Sequence, residues 1–164
     1  MMTELLWFLP WCWFVNLSLN GLGYLGATYP RVRHRDRPLD GGWTLPDGHR
    51  LFGDSTTWCG LVLCVLIGSI GQAVLPIPHA LVLALLVYAG HAAGSFIKRR
   101  CGLPRGAFLP FVDHGNYVLI AGIFLIAMGS LSLASFFIAW LLTLILTPVV
   151  TTIAFSLHVR PRPL

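Results

Sequence analysis

YVLIAGIFLIAMGSLSLASFFIAWLLTLILTPVVTTIAFSL, residues 117–157, runs for about forty residues without a single Asp, Glu, Lys or Arg. One membrane-crossing helix needs roughly twenty apolar residues, so this stretch holds two. Gly129, Ser130 and Ser132 supply turn chemistry near its middle, which predicts spans over 117–132 and 134–156, with Pro148 placed to kink the second. The whole chain agrees with this reading, being 56% hydrophobic and 10% charged, where an ordinary soluble domain carries roughly 25% charged residues. An all-α integral membrane protein is expected, a single membrane domain over residues 1–164.

Working outward, KRRCGLPRGAFLPFVDHGN at 98–116 is polar, with four basic residues and Asp113. Before it lie two apolar runs, 58–77 and 80–97, separated by Pro76, Ile77, Pro78 and His79, enough for a turn only. They are expected to form a helical hairpin. His91 falls in the last turns of the second run, where packing against a neighbour is favoured over contact with headgroups. A second polar segment, about 27–57, is rich in charge, Gly and Pro and shows no apolar period. Loops of that length are usually functional or disordered, and the interleaved Trp43, Leu45, Leu51 and Phe52 favour a folded, functional one. The first apolar run, about 5–24, follows Met-Met-Thr-Glu and so lacks the basic start of a cleaved signal peptide. Asn16 and Asn20 interrupt it, as interhelical hydrogen-bonding groups or as lining of a site. The expected architecture is a five-transmembrane-helix bundle with two polar cytoplasmic loops.

Basic residues orient such a bundle. Arg31, Arg33, Arg35, Arg37 and Arg50 lie in the first loop, Lys98, Arg99, Arg100 and Arg105 in the second, and Arg160 and Arg162 at the tail, while the intervening turns have none. Both loops and the C-terminus are therefore expected in the cytoplasm, with the N-terminus outside and the protein multi-pass in the cell membrane. The net charge of +5 comes from the same segments and fits a membrane surface or bound phosphates better than nucleic acid. Cys12, Cys59, Cys64 and Cys101 form no CxxC pair, and the six histidines are scattered without metal-ligand spacing. No GxxxxGK[ST], GxSxG, HExxH or GxGxxG is present, which removes the P-loop, serine-hydrolase, zincin and dinucleotide-binding classes.

Apart from Glu4, all carboxylates fall in the two polar segments, so acid, base or metal chemistry has to draw on those. The first offers Asp40, Asp47 and Asp54 with glycines, Arg50 and the hydroxyls of Ser55, Thr56 and Thr57. These are the parts of a phosphate and magnesium site, since Mg²⁺ takes carboxylate and phosphate oxygens and Gly-rich turns present N–H groups to anions. The same Asp-Gly pairs also suit a solvated loop of simple turns. In the second segment the basic cluster Lys98 to Arg100 suits either a lipid phosphate or anchoring of a helix end.

Three ordered stretches, PLDGGWTLPDGHRLFGDSTTWCG (38–60), GSFIKRRCGLPRG (94–106) and LPFVDHGNYV (109–118), together resemble the archaeal CDP-archaeol synthase family, a relation of the CDP-diacylglycerol synthases. The family pattern D-G-x-R…G-D-G-K-T-W-R-G is matched at Asp47, Gly48, Arg50, Gly53, Asp54, Thr57, Trp58 and Gly60, and S-F-I-K-R-R at Ser95 to Arg100. L-D-Q-L-D-F is matched at Asp113, while Asn116 stands where the second acid is expected. Ser55 replaces Gly, Thr56 replaces Lys and Cys59 replaces Arg, so two cations and one anion of the family pattern are missing.

The resemblance implies a nucleotidyltransferase in which CTP and a dialkyl- or diacylglycerol phosphate give a CDP-activated lipid and pyrophosphate. It implies Mg²⁺ on Asp47, Asp54, Asp113 and Asn116, and a catalytic set of Asp54, Asp113 and Lys98. Substrate binding would fall to Arg50, Thr57, Ser95, Lys98 and Arg99. Two other classes compete: a non-catalytic lipid-binding or scaffold relative, which the missing charges would suit, and a small transporter, against which stands the lack of any Asp, Glu, Lys or Arg within the four later apolar runs.

Overall fold

A computed structural model describes residues 2–28, 36–103, 107, 109 and 111–156. The basic residues Arg31, Arg33, Arg35, Arg105, Arg160 and Arg162 lie outside them. Among the described residues five helices follow one another: α1 (Met2–Thr28), α2 (Trp58–Val74), α3 (Ala80–Arg100), α4 (Val112–Ala127) and α5 (Leu133–Ser156). By length and composition α1, α3 and α5 are long and apolar enough to cross a membrane, each over 21 residues. α2 and α4 are apolar but shorter, at 17 and 16 residues, or about 25 Å against a hydrocarbon core of about 30 Å.

Each helix buries one stripe. On α1 it is Phe8, Trp11, Cys12, Val15 and Leu19, on α3 Leu83, Ala84, Val87 and Tyr88, on α4 Tyr117, Val118, Ala121 and Leu125. The three- and four-residue spacing of these positions is what one helical face requires. α3 lies between α2 and α4, and α1 touches all four other helices. The outward faces are apolar too: α5 exposes Leu141, Ile145, Val149 and Ile153, one per turn. An exposed stripe of that kind would be a liability in water and is ordinary against lipid.

Helices without a hydrophobic drive between them in lipid approach through small residues. α3 and α4 do so at Gly90, where a Cβ would lie 2.5 Å from the Tyr117 Cα. Polar bonds fasten the bundle elsewhere: Trp11 Nε1 donates to the Ala80 carbonyl at 3.2 Å, Trp13 Nε1 to Thr143 Oγ1 at 3.1 Å, and the Ser132 N–H to Glu4 Oε2 at 2.9 Å.

The first helix runs longer than expected and the second ends three residues sooner, and two further differences bear on the site. The fourth apolar helix occupies 112–127 instead of 117–132, because Gly129 takes φ +66° and ends the helix early while Asp113 Oδ2 accepts the Leu109 N–H at 2.8 Å and secures an earlier start. The polar segment expected over 98–116 shrinks to the residues between Arg100 and Val112, since Lys98, Arg99 and Arg100 form the last turn of α3, where the helix dipole favours cations. As a result Lys98, Asp113 and Asn116 stand on helices, not in a loop.

Candidate active site

The loop before α2 folds back on itself through bridges pairing Pro38 with Thr57 and Thr44 with Arg50. It rests against the C-terminal half of α3: Tyr88 Oη donates to the Thr57 carbonyl at 2.6 Å, the Ser55 and Ser95 hydroxyls are 3.2 Å apart, and His91 Nε2 lies 3.4 Å from the Ser55 carbonyl. Both polar segments thus gather at one end of the bundle. Thr57 caps α2, its Oγ1 accepting from the Gly60 N–H at 3.2 Å.

Within the loop Arg50 is held by two carboxylates. Its Nη2 and Nε bond Asp40 and its Nη1 bonds Asp54 Oδ1 at 2.9 Å. Asp40 also accepts the N–H groups of Gly42 at 3.0 Å, Phe52 at 3.0 Å and Gly53 at 2.8 Å. Burial by itself would raise the Asp40 pKa, but these donors, led by Arg50, hold the carboxyl far below the usual carboxylate range. The Asp40 bonds raise the Arg50 pKa in turn, against some desolvation. Arg100 reaches the loop from α3, its guanidinium 2.8 Å from Asp47 Oδ2, donating to the Arg50 carbonyl at 2.6 Å and stacked over Phe96. Arg99 donates to the Leu103 carbonyl at 2.7 Å and so closes its own helix end.

Below the loop a polar cavity of about 30 Å³ opens between α1, α3 and α4, room for about one water. Lys98 and Asp113 meet at its rim with Nζ and Oδ1 2.7 Å apart, and Ser95, Asn116, His91 and Asn16 also line it. Asn116 comes with its amide nitrogen committed, donating to the Gly90 carbonyl at 2.6 Å.

Of the residues expected from sequence, the structure brings together Ser95, Lys98, Asp113 and Asn116 around the cavity and Arg50 with Asp54 in the loop. Asp47 is placed with Arg100, and Asp47, Asp54 and Asp113 do not converge: among the described residues no three His, Cys, Asp or Glu side chains gather for one metal ion. That donor set does not build an all-protein cage. It does suit Mg²⁺, which keeps several waters and takes one or two carboxylates plus substrate phosphates, because Asp54 and Asp113 stay accessible, with 47% and 23% of their side-chain surface exposed.

Sequence reasoning left out Arg100 as a loop anchor and gave Asp40 no part of its own. The donors on Asp40 come from residues up to thirteen positions away, a pairing that no local pattern spells out. Asn16 was open to two readings from sequence and lines the cavity, whereas Asn20 bonds back to the carbonyl of Asn16 in its own helix, at 2.9 Å.

The CarS-like family model, CDP-archaeol synthase, matches residues 6–163. The CDP-archaeol synthase of Methanosphaerula palustris is 36% identical over 151 residues, covering 77% of this chain and 89% of that protein. The one from Pyrococcus furiosus is 36% identical over 130 residues, covering 72% and 71%. The one from Aeropyrum pernix is 39% identical over 109 residues, covering 61% of this chain and 62% of its own length. A solved structure of an intramembrane enzyme for archaeal membrane lipids biosynthesis superposes with a TM-score of 0.57 at 35% identity, covering 70% of this chain and 78% of that one.

Proposed function

The chain belongs to the CDP-archaeol synthase family, and from that premise we propose that it is a membrane cytidylyltransferase joining CTP to an ether or ester lipid phosphate, with release of pyrophosphate. The observation that carries this is the family match over residues 6–163, nearly the whole chain. A non-catalytic scaffold has no comparable support.

In the proposed reaction an oxygen of the lipid phosphate attacks the α-phosphorus of CTP in line, and the bond from that phosphorus to the pyrophosphate oxygen breaks. An ionised phosphate is already a competent nucleophile and needs no strong base, so catalysis is mostly positioning and neutralisation of charge. Lys98 at the cavity rim and Arg50 in the loop above it are the cations we assign, with Arg99, to the phosphates. Ser95 and Thr57 hold the loop against α3 and frame the space between. Asp54 and Asp113 are the residues that would hold Mg²⁺, while Asp47 is taken up by Arg100 and the amide nitrogen of Asn116 by the Gly90 carbonyl. The ion, when bound, would neutralise the charge growing on the leaving pyrophosphate.

We further propose that all five helices span the bilayer, the shorter two with the membrane thinned around them or their ends at the headgroups. The loop end would face the cytoplasm, where CTP is available, and lipid would enter laterally between helices. The clustering of Arg37, Arg50, Lys98, Arg99 and Arg100 at that one end supports the orientation.

Purified protein with labelled CTP, Mg²⁺ and a panel of ether and ester lipid phosphates should transfer label into the lipid extract, and the panel ranks the acceptors. No label in lipid with any acceptor would overturn the proposal.

A further inference from the structure

We propose that Asp40, which touches neither substrate nor metal, is the positioning residue of the nucleotide loop: it fixes the Arg50 guanidinium and the backbone at Phe52 and Gly53, and so sets Asp54 facing the site. This rests on the reading of the loop as the CTP-binding segment.

A carboxylate offers about four acceptor directions, and five N–H groups converge on Asp40: Gly42 N and Arg50 Nη2 on Oδ1, Arg50 Nε, Phe52 N and Gly53 N on Oδ2. Its side chain is fully buried, at 0% exposure. No acceptor direction remains for a cation, so a ligand role is closed to it. The groups it gathers are not arbitrary: residues 50, 52 and 53 immediately precede Asp54, and Arg50 bonds Asp54 itself at 2.9 Å. Gly53 takes φ +80°, a left-handed conformation that an N–H bond to a fixed anion keeps in place.

Every one of these Asp40 partners belongs to the loop and none to the helices. Removing the carboxylate therefore disorders the loop without unpacking the bundle. That separates positioning from general stability: a residue needed only for folding would lower the apparent kcat through the amount of folded protein and leave both KM values where they are, whereas Asp40 should raise the KM for CTP, on the nucleotide side alone and through Arg50.

The experiment uses the full-length membrane protein and the CDP-lipid assay with Asp40→Asn, Asp40→Glu, Arg50→Gln and the Asp40→Asn/Arg50→Gln pair. Losing charge-assisted bonds should raise the KM for CTP on the order of tenfold to a hundredfold in Asp40→Asn, with the KM for the lipid phosphate nearly unchanged. Asp40→Glu, which keeps the charge one methylene out of place, should show a smaller rise. The double variant should be no worse than Arg50→Gln by more than about threefold, because the two residues act as one unit. Multiplicative losses in the double variant, or equal rises in both KM values, would overturn the inference.

Amide hydrogen exchange supplies the readout independent of turnover. In Asp40→Asn the Phe52 and Gly53 amides should exchange at least about tenfold faster while those of α3 and α4 keep their protection. Unchanged loop exchange overturns the positioning role whatever the enzyme does. Faster loop exchange in a protein whose wild type labels no lipid would instead strike at the proposed reaction and leave the role of Asp40 in the loop standing.

Discussion

Replacing Asn116 by aspartate restores the acid of the family pattern, and from the sequence this looks like a gain: the residue lies one helical turn beyond Asp113, and Mg²⁺ prefers a carboxylate to an amide oxygen. The structure points to a loss. The amide nitrogen of Asn116 donates to the Gly90 carbonyl at 2.6 Å and sits 2.4 Å from where a Cβ on Gly94 would be. The opposite amide orientation would set two acceptors face to face, so the donor has to be on this side. An ionised carboxylate in its place would carry no proton to donate. The lost hydrogen bond costs about 1 kcal/mol, and a carboxylate oxygen left against a carbonyl at this part-buried contact costs about 1–3 kcal/mol more. The sum, about 2–4 kcal/mol, corresponds to a fall of about 5–15 °C in unfolding midpoint for a chain of this size. Asn116→Ala, which removes the donor without adding charge, should fall by only about 2–4 °C. Thermal unfolding in detergent followed by tryptophan fluorescence measures both, and a magnesium titration of CDP-lipid formation accompanies it. An Asn116→Asp protein as stable as wild type, half-saturated at lower Mg²⁺, would refute the reasoning and establish the side chain as a metal ligand.

Lys98→Gln and Asp113→Asn should each lower turnover at least about a hundredfold while the helical signal in detergent stays intact; label counted in the lipid extract decides it. Gly90→Ala should destabilise the bundle by about 1–3 kcal/mol or more, since its Cβ meets a backbone atom that no rotamer change can move, whereas Gly23→Ala, inside a helix with nothing within 4 Å, should not lower the unfolding midpoint and by helix propensity should raise it slightly. The Asp40 carboxyl is held below its ordinary pKa, so its contribution to loop order is complete at neutral pH and down to the ordinary carboxylate range near about 4, and is lost as pH falls further. The protection factor of the Gly53 amide, corrected for intrinsic exchange, should accordingly hold between about pH 7 and 5 and drop only in stronger acid. With Cys59 and Cys101 replaced by Ser, a Trp43→Cys protein in sealed cells should resist an impermeant thiol reagent until the membrane is opened; labelling of intact cells would reverse the proposed orientation.

The helices were legible because lipid imposes a coarse rule. Long runs without charge have little alternative to helix, and the hairpin turn at Pro76 to His79 was marked by its prolines. Helix ends were less legible, because the sequence treats Lys98 and Asp113 as polar and hence as loop, while a helix terminus accepts cations at its C-terminal end and an acid at its N-terminal end. The site followed the same division. Ser95, Lys98, Asp113 and Asn116 share a cavity because two helices carry them at turn spacing, which sequence can suggest. The loop contacts depend on how a segment without period folds on itself, and there the sequence placed Asp47 with Asp54 and Asp113, although in the structure it is held by Arg100.

The ion pairs at the loop end leave that cluster electrically balanced: Arg50, Lys98, Arg99 and Arg100 stand against Asp40, Asp47, Asp54 and Asp113, four charges of each sign. A balanced cluster projects little field beyond a Debye length of about 8–10 Å, so these cations contribute little to drawing in an anionic nucleotide from a distance. In sequence, the preceding stretch carries Arg31, Arg33, Arg35 and Arg37 against Asp36 alone. If the proposed function holds, added salt should leave the escape rate of bound CTP nearly constant, because each acid beside a base in the cluster is already screened by its neighbour.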